Sequence, residues 1–356
     1  MAERKGQLSR RRFLQSGALV AAGLSGGLAR GAWGASHARA PMVSATVRIG
    51  HLRNLQSGPV FLAMDRNYFQ EVGVKVERVL FQSGAEMVAS LGTGELALGA
   101  GALSPGLYSS WARNIRTLVV ADGGQMRAGY GAAWIIVRAD LAGQIKDWPD
   151  LRGRPVNFSV TGSVIDYMTR VALRGHHMTL KDVTVIRVAS PDMLAALQGG
   201  KLDAGGAGEA FATRIVDLGI GVKWKSGDQI VPGYQYAALL MSERAAADRA
   251  LAVALVHAYV KGVRDFMNGQ QSDPAVLAIL QKHSGVDQAV IRRATPSFID
   301  VNGDVILDDI RRQQEFWIRE NVMPRPVDPT PFVNAEFAAE AVRILGRATV
   351  PPGRGT

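Results

Sequence analysis

The sequence predicts an α/β chain built as two lobes, with a helical C-terminal region. Three observations carry this expectation. Short apolar runs alternate with amphipathic runs from Val47 to Met241. The alternation falls into two series of similar layout. The junctions between strand and helix are rich in Ser, Thr, Gly and Gln. Strands that alternate with helices favour parallel sheets. At roughly 150 residues per domain, 356 residues suffice for two.

The elements follow in order. In the first series, strands are expected over 47–50, 74–81, 96–99 and 115–121. Helices are expected over 59–70, with Pro59 in its first turn, over 85–91 and over 105–112. The second series opens with a strand over 132–137. Strands over 155–160, 183–188 and 203–207 then alternate with helices over 162–174, 191–198 and 209–218. A strand over 236–241 closes it. Beyond that the pattern is helical: 245–267, with Leu251, Leu255, Tyr259, Val263 and Phe266 on one face, then 274–282, 287–294, 307–321 and 333–345.

Composition narrows the function. Hydrophobic residues make up 47% and charged residues 20% of the chain, a globular balance. There is no cysteine, which excludes disulfides, thiolate metal sites, cysteine-held iron–sulfur clusters and cysteine nucleophiles. The net charge is +10. About half of it lies in residues 1–34, where Arg4, Lys5, Arg10, Arg11, Arg12 and Arg30 face only Glu3. The remaining excess is no nucleic-acid footprint. The stretch Leu96 to Ala112 is uncharged, but Gly, Pro and Ser interrupt it, so no membrane span is expected.

The N-terminus reads as an address. Ser9-Arg10-Arg11-Arg12-Phe13-Leu14-Gln15 precedes an uncharged, Gly/Ala-rich stretch. This is the twin-arginine export pattern, with Gln15 in place of Lys. Removal after Gly34, with Ala32 at the −3 position, would leave a mature periplasmic protein.

Ligands of open α/β sheets sit beyond the carboxyl ends of strands. Four junctions there carry hydroxyls and amides: Gln56-Ser57-Gly58-Pro59, Gln82-Ser83-Gly84, Leu103-Ser104-Pro105 and Thr161-Gly162-Ser163. Each suits a helix cap, and each suits an anion cradle. Glu209 opens a predicted helix. It is either favourable charge at the helix start or an acceptor for a ligand N–H. Tyr234 and Tyr236 are either core aromatics or a stacking wall. His51, at the end of the first strand, is the histidine nearest the expected pocket. His176-His177 reads as charge at a helix C-terminus, and Asp308-Asp309 as charge at a helix start. No H-E-x-x-H, Walker A, G-x-S-x-G or complete G-x-G-x-x-G is present. No catalytic set, metal site or cofactor is therefore expected.

Several segments resemble one family in order and spacing. Pro59-Val60-Phe61-Leu62-Ala63 with Tyr68-Phe69-Gln70-Glu71-Val72-Gly73-Val74 resembles its opening helix. Asp150-Leu151-Arg152-Gly153-Arg154-Pro155-Val156, the stretch from Ala195 to Ala204, Glu209-Ala210-Phe211, Gly303 to Asp308 and Phe316-Trp317 through Val327-Asp328 follow. The family is the nitrate, aliphatic-sulfonate and taurine group of solute-binding proteins, with thiamine-pyrimidine relatives. The resemblance runs from about 47 to 345. It implies a type II periplasmic binding-protein fold with a two-segment hinge: lobe one at 42–131 plus 237–345, lobe two at 132–236, and a flexible tail at 346–356. It implies a monomer that hands a small anionic or zwitterionic solute to an inner-membrane ABC permease and its ATPase. Import of a pyrimidine or other N-heterocycle is the alternative, and an enzyme or ligand sensor on the same fold another. Carried over by position, the ligand contacts are Gln56, Ser57, Ser83, Ser104, Thr161, Gly162, Ser163 and Glu209; Gly84, Tyr234 and His51 are added from their placement. Ala207-Gly208 replaces a bulkier family pair, which would widen the pocket beside Glu209.

Overall fold

In the computed structural model, residues 39–352 are described, apart from residues 83 and 189. The expected export signal, its cleavage site and Ser83 lie outside the described residues.

Among the described residues, ten strands form two five-stranded sheets. The first series supplies β1 (Ala45–Leu52), β2 (Val74–Phe81), β3 (Leu98–Ala102) and β4 (Thr117–Gln125). The chain then enters the second sheet with β5 (Ala133–Arg138), β6 (Pro155–Asn157), β7 (Thr184–Val185), β8 (Ala204–Gly208) and β9 (Gly221–Ser226). It returns to the first with β10 (Gln235–Ser242). The strand orders are β2-β1-β3-β10-β4 and β7-β6-β8-β5-β9. The chain therefore passes between the sheets twice, after β4 and before β10.

The sheets are mixed, not wholly parallel as the strand–helix alternation suggests. β10 runs antiparallel to β3 and β4, and β5 runs antiparallel to β8 and β9. These are the two strands that enter from the other sheet, with no helical crossover to force a parallel arrangement. Every residue of β4 and β10 is buried, the near-continuous burial expected of central strands covered on both faces.

Several element boundaries differ for local reasons. The helix expected over 59–70 divides into Gly58–Asp65 and Tyr68–Glu71, because Asn67 adopts the left-handed conformation between them. The helix expected over 245–267 divides at Asp248, whose extended backbone and side chain cap Arg249–Gly269 by accepting from the Leu251 amide at 3.0 Å. The strand expected over 155–160 ends at Asn157, whose side chain accepts from the Ser159 amide at 3.0 Å and donates to the Val188 carbonyl at 3.2 Å. β9 carries no expectation: its lysines, Lys223 and Lys225, break the apolar pattern, and it is an edge strand, where lysine is common.

One core packs the long helix Arg249–Gly269 against the first sheet. A second joins residues of both sheets and includes the buried Trp317 of the helix Leu307–Arg319. That ring lies 5.4 Å from Tyr167, on the helix Val164–Gly175 that follows β6. No helix among the described residues is long and apolar enough to cross a membrane.

Candidate functional site

Both crossings and three strand ends converge on a cleft of about 180 Å³. Asn54, Leu55 and Gln56 come from the turn after β1. Met126 follows β4, and Ala132 and Ala133 lead into β5. Val164 and Ile165 form the first turn of the helix after β6. Gly208 and Glu209 stand at the end of β8, and Tyr236 lies in β10. Ser297 arrives from the C-terminal segment.

Gln56 is held firmly. Its side-chain nitrogen donates to the Gly123 carbonyl at 3.0 Å and to the Tyr236 hydroxyl at 2.5 Å. The Tyr236 hydroxyl thus accepts from Gln56. Burial pushes its pKa well up, so it stays protonated, and the Ser297 side chain hydrogen-bonds to the same hydroxyl. Asn54 spends its side-chain oxygen on the amide and hydroxyl of Ser57, at 3.1 and 3.3 Å. That fixes which atom of the amide is nitrogen, and among the described residues this nitrogen has no acceptor. The first helical amides, of Val164 and Ile165, have no acceptor within their helix, as in any helix start. The helix Val164–Gly175 therefore aims free N–H groups and the positive end of its dipole at the cleft.

Among the described residues of the cleft lining, Glu209 alone is charged. Its side chain is 3% exposed and pairs with Lys223. It also accepts from the Thr213 hydroxyl at 2.7 Å, the Thr213 amide at 3.3 Å and the Thr295 amide at 3.0 Å. Both oxygens are taken by the protein's own donors. Glu209 also precedes its helix, which begins at Phe211, and does not open it. Lys223 additionally lies over the Trp134 ring at 5.1 Å.

The other expected positions divide clearly. Gln56 and Glu209 line the cleft, and Ser163 directly precedes it. Ser57 is buried and accepts from the Leu52 amide at 3.1 Å. Ser104 and Ser163 cap their helices, accepting from the amides of Leu107 at 3.4 Å and Asp166 at 3.1 Å. Thr161 is exposed. Gly162 lies against Pro105: a β-carbon there would come 3.2 Å from the proline ring, so these two junctions meet across the sheets. Gly84 lies against β3, its would-be β-carbon 3.2 Å from the Ala102 amide nitrogen. Tyr234 stacks on Tyr167 with ring centroids 4.4 Å apart, inside the core and away from the cleft lining. His51 packs edge-on against Phe61 at 5.3 Å, and burial holds its imidazole below the usual pKa; it too is outside the cleft lining. Among the described residues no group of three His, Cys, Asp or Glu is placed to hold a metal.

Sequence reading missed Asn54, Leu55, Met126, Ala132, Ala133, Val164, Ile165 and Ser297 as lining residues. Asn54 had a signal, two residues before Gln56 at a strand end. Ser297 had none, since only the tertiary fold brings it to the cleft.

Two sheets with these strand orders, crossed twice and enclosing a cleft at their strand ends, define the periplasmic binding-protein fold. Within that fold, the chain belongs to the NMT1-like family, whose sequence pattern matches residues 40–278. Solved structures agree on the fold. The periplasmic aliphatic sulphonate binding protein SsuA from Escherichia coli superposes with a TM-score of 0.68 at 20% identity, over 82% of this chain and 97% of that one. The alkanesulfonate-binding protein SsuA from Xanthomonas axonopodis pv. citri, bound to MOPS, does so with a TM-score of 0.65 at 20% identity, over 84% and 100%. The periplasmic nitrate-binding protein NrtA from Synechocystis PCC 6803 gives a TM-score of 0.68 at 16% identity, over 86% and 90%. No curated protein sequence matches the chain.

Proposed function

We propose that this protein is the solute-binding component of an ABC importer and takes a small organic anion, of sulfonate or similar type, into the cleft between its sheets. The observation that carries the reading is the donor set. The Tyr236 hydroxyl, the Asn54 amide and the free N–H groups of Val164 and Ile165 are neutral donors at one cleft. Such donors hold an oxyanion without a buried counter-charge. The solutes named for the structural relatives, sulfonates and nitrate, are of this chemistry. Glu209 is already occupied by Thr213, Lys223 and Thr295, which weighs against the N-heterocycle alternative. The twin-arginine pattern supports export to the periplasm, and the lobes at 42–131 plus 237–345 and 132–236 would close over the solute and present it to a permease.

A thermal-unfolding screen of the mature chain against sulfonates, nitrate, carboxylates and aminopyrimidines tests this. A ligand at 100 times its Kd adds about 2.7 kcal/mol, a shift of a few degrees in a chain of this size. The expected result is a shift with organic anions and unaltered ligand recovered afterwards. A shift with aminopyrimidines alone, or chemically altered ligand, would overturn it.

A further inference from the structure

β8 reads Ala204-Gly205-Gly206-Ala207-Gly208, and its three glycines have different reasons to be there. A β-carbon on Gly205 would come 2.8 Å from the Met193 side chain and 3.0 Å from the Asn157 carbonyl oxygen. One on Gly206 would come 2.0 Å from the Ile165 side chain. Both are glycine because neighbours occupy the space. Gly208 is not. A β-carbon there meets nothing within 4 Å, and its backbone is outside the left-handed region. Glycine in a strand weakens it and gives nothing to pack, so neither packing nor conformation accounts for Gly208.

The open space beside Gly208 belongs to the cleft. Its strand partner there is Ala133, another small residue, and Ala132 precedes it. Val164, Ile165 and Met126 add apolar surface to the same lining. The cleft thus combines neutral donors with an apolar region kept free of side chains. A space on the order of 150 Å³ holds a benzene ring, and this cleft measures about 180 Å³.

We propose that Gly208 sets the size of the ligand: its missing side chain reserves room for a compact apolar body, such as an aromatic ring, attached to the anionic group. This rests on the anion-binding reading above and adds which anions are preferred.

Calorimetric titration of wild type, Gly208→Ala and Gly208→Val with benzenesulfonate and methanesulfonate tests it. Wild type is expected to bind benzenesulfonate at least about tenfold more tightly than methanesulfonate, the scale on which a hydrophobic pocket discriminates by size. Gly208→Val should lose at least about tenfold on benzenesulfonate while methanesulfonate stays within about threefold, with Gly208→Ala between. Thermal unfolding checks that each variant is folded, and Gly208→Ala carries the test if the valine variant is not. Equal loss of both anions, or unchanged benzenesulfonate affinity in a folded variant, overturns the assignment. So does wild type that binds methanesulfonate and not benzenesulfonate, which leaves the anion reading standing. Wild type that binds neither anion overturns both.

Discussion

Gly206 and Glu209 stand three residues apart at the cleft end of β8, and different forces fix them. Gly206 is held by sterics, since any β-carbon collides with Ile165. Gly206→Ala is expected to cost about 1–3 kcal/mol, as overpacking does, and to displace the first turn of the helix Val164–Gly175. Urea unfolding of the variant beside wild type measures it; equal midpoints would mean that Ile165 moves aside freely. Glu209 is held by charge. Glu209→Gln leaves Lys223, 20% exposed, without its carboxylate. Breaking such a pair costs about 3 kcal/mol, the lower end because Lys223 keeps some water. Adding Lys223→Met should recover much of the loss. A double-mutant cycle reads the coupling directly, and a coupling near zero would assign Glu209 another role.

At the level of elements, β4 and β10 form the wall behind the cleft. Gln56 is anchored to the Gly123 carbonyl of β4 and to Tyr236 of β10. Directly behind lies Asp122, fully buried. It accepts from the Gly124 amide at 2.7 Å, the Asp300 amide at 2.6 Å and the Gln235 side chain at 2.5 Å. Burial nevertheless raises its carboxyl to about 7, against about 3.9 in an unfolded chain. Between those values the folded chain holds a proton that the unfolded chain has released. The stability this contributes is complete below about pH 4 and lost as pH rises through about 7. Denaturant unfolding from pH 4.5 to 8 should therefore show wild type losing more stability with rising pH than Asp122→Asn. Parallel curves would place the Asp122 carboxyl at an ordinary value.

Across the whole molecule, side chains tie the two sheets together on both flanks of the cleft. On one side, Thr295 donates its amide to Glu209 and accepts at its hydroxyl from the Trp134 indole at 2.9 Å, and Arg293 pairs with Asp217 at 2.7 Å. On the other, Glu320 takes Arg170 at 3.0 Å and Arg174 at 2.7 Å. Burial decides which matter. Arg293 is 54% exposed, so Asp217→Asn should change stability by no more than about 1 kcal/mol. Glu320 and Arg170 are 9% and 11% exposed. Glu320→Gln leaves Arg170 only Asp166 as counter-charge and should cost about 3 kcal/mol. Chemical unfolding of the two variants side by side tests the contrast, and equal effects would refute it.

The α/β class, most element positions and the junction at Gln56 can be read from the amino-acid order. These follow from local patterning: apolar periodicity, and the turn and cap residues that interrupt it. That order also marked Glu209 as a residue of interest, but not whom it binds, because Lys223 sits on a different strand and Thr295 comes from the far C-terminal segment. The mixed strand directions were hidden too, since β5 and β10 read like any other buried strand and only their crossing between sheets reverses them. Ser104 and Ser163 could not be told from ligand contacts, because a hydroxyl that caps a helix and one that cradles an anion look alike until its partner is known. That Ser297 reaches the cleft, that Tyr234 turns into the core and that the space beside Gly208 is open emerge only from the folded arrangement. Each depends on which side chains arrive from remote segments, and packing, not local propensity, settles that.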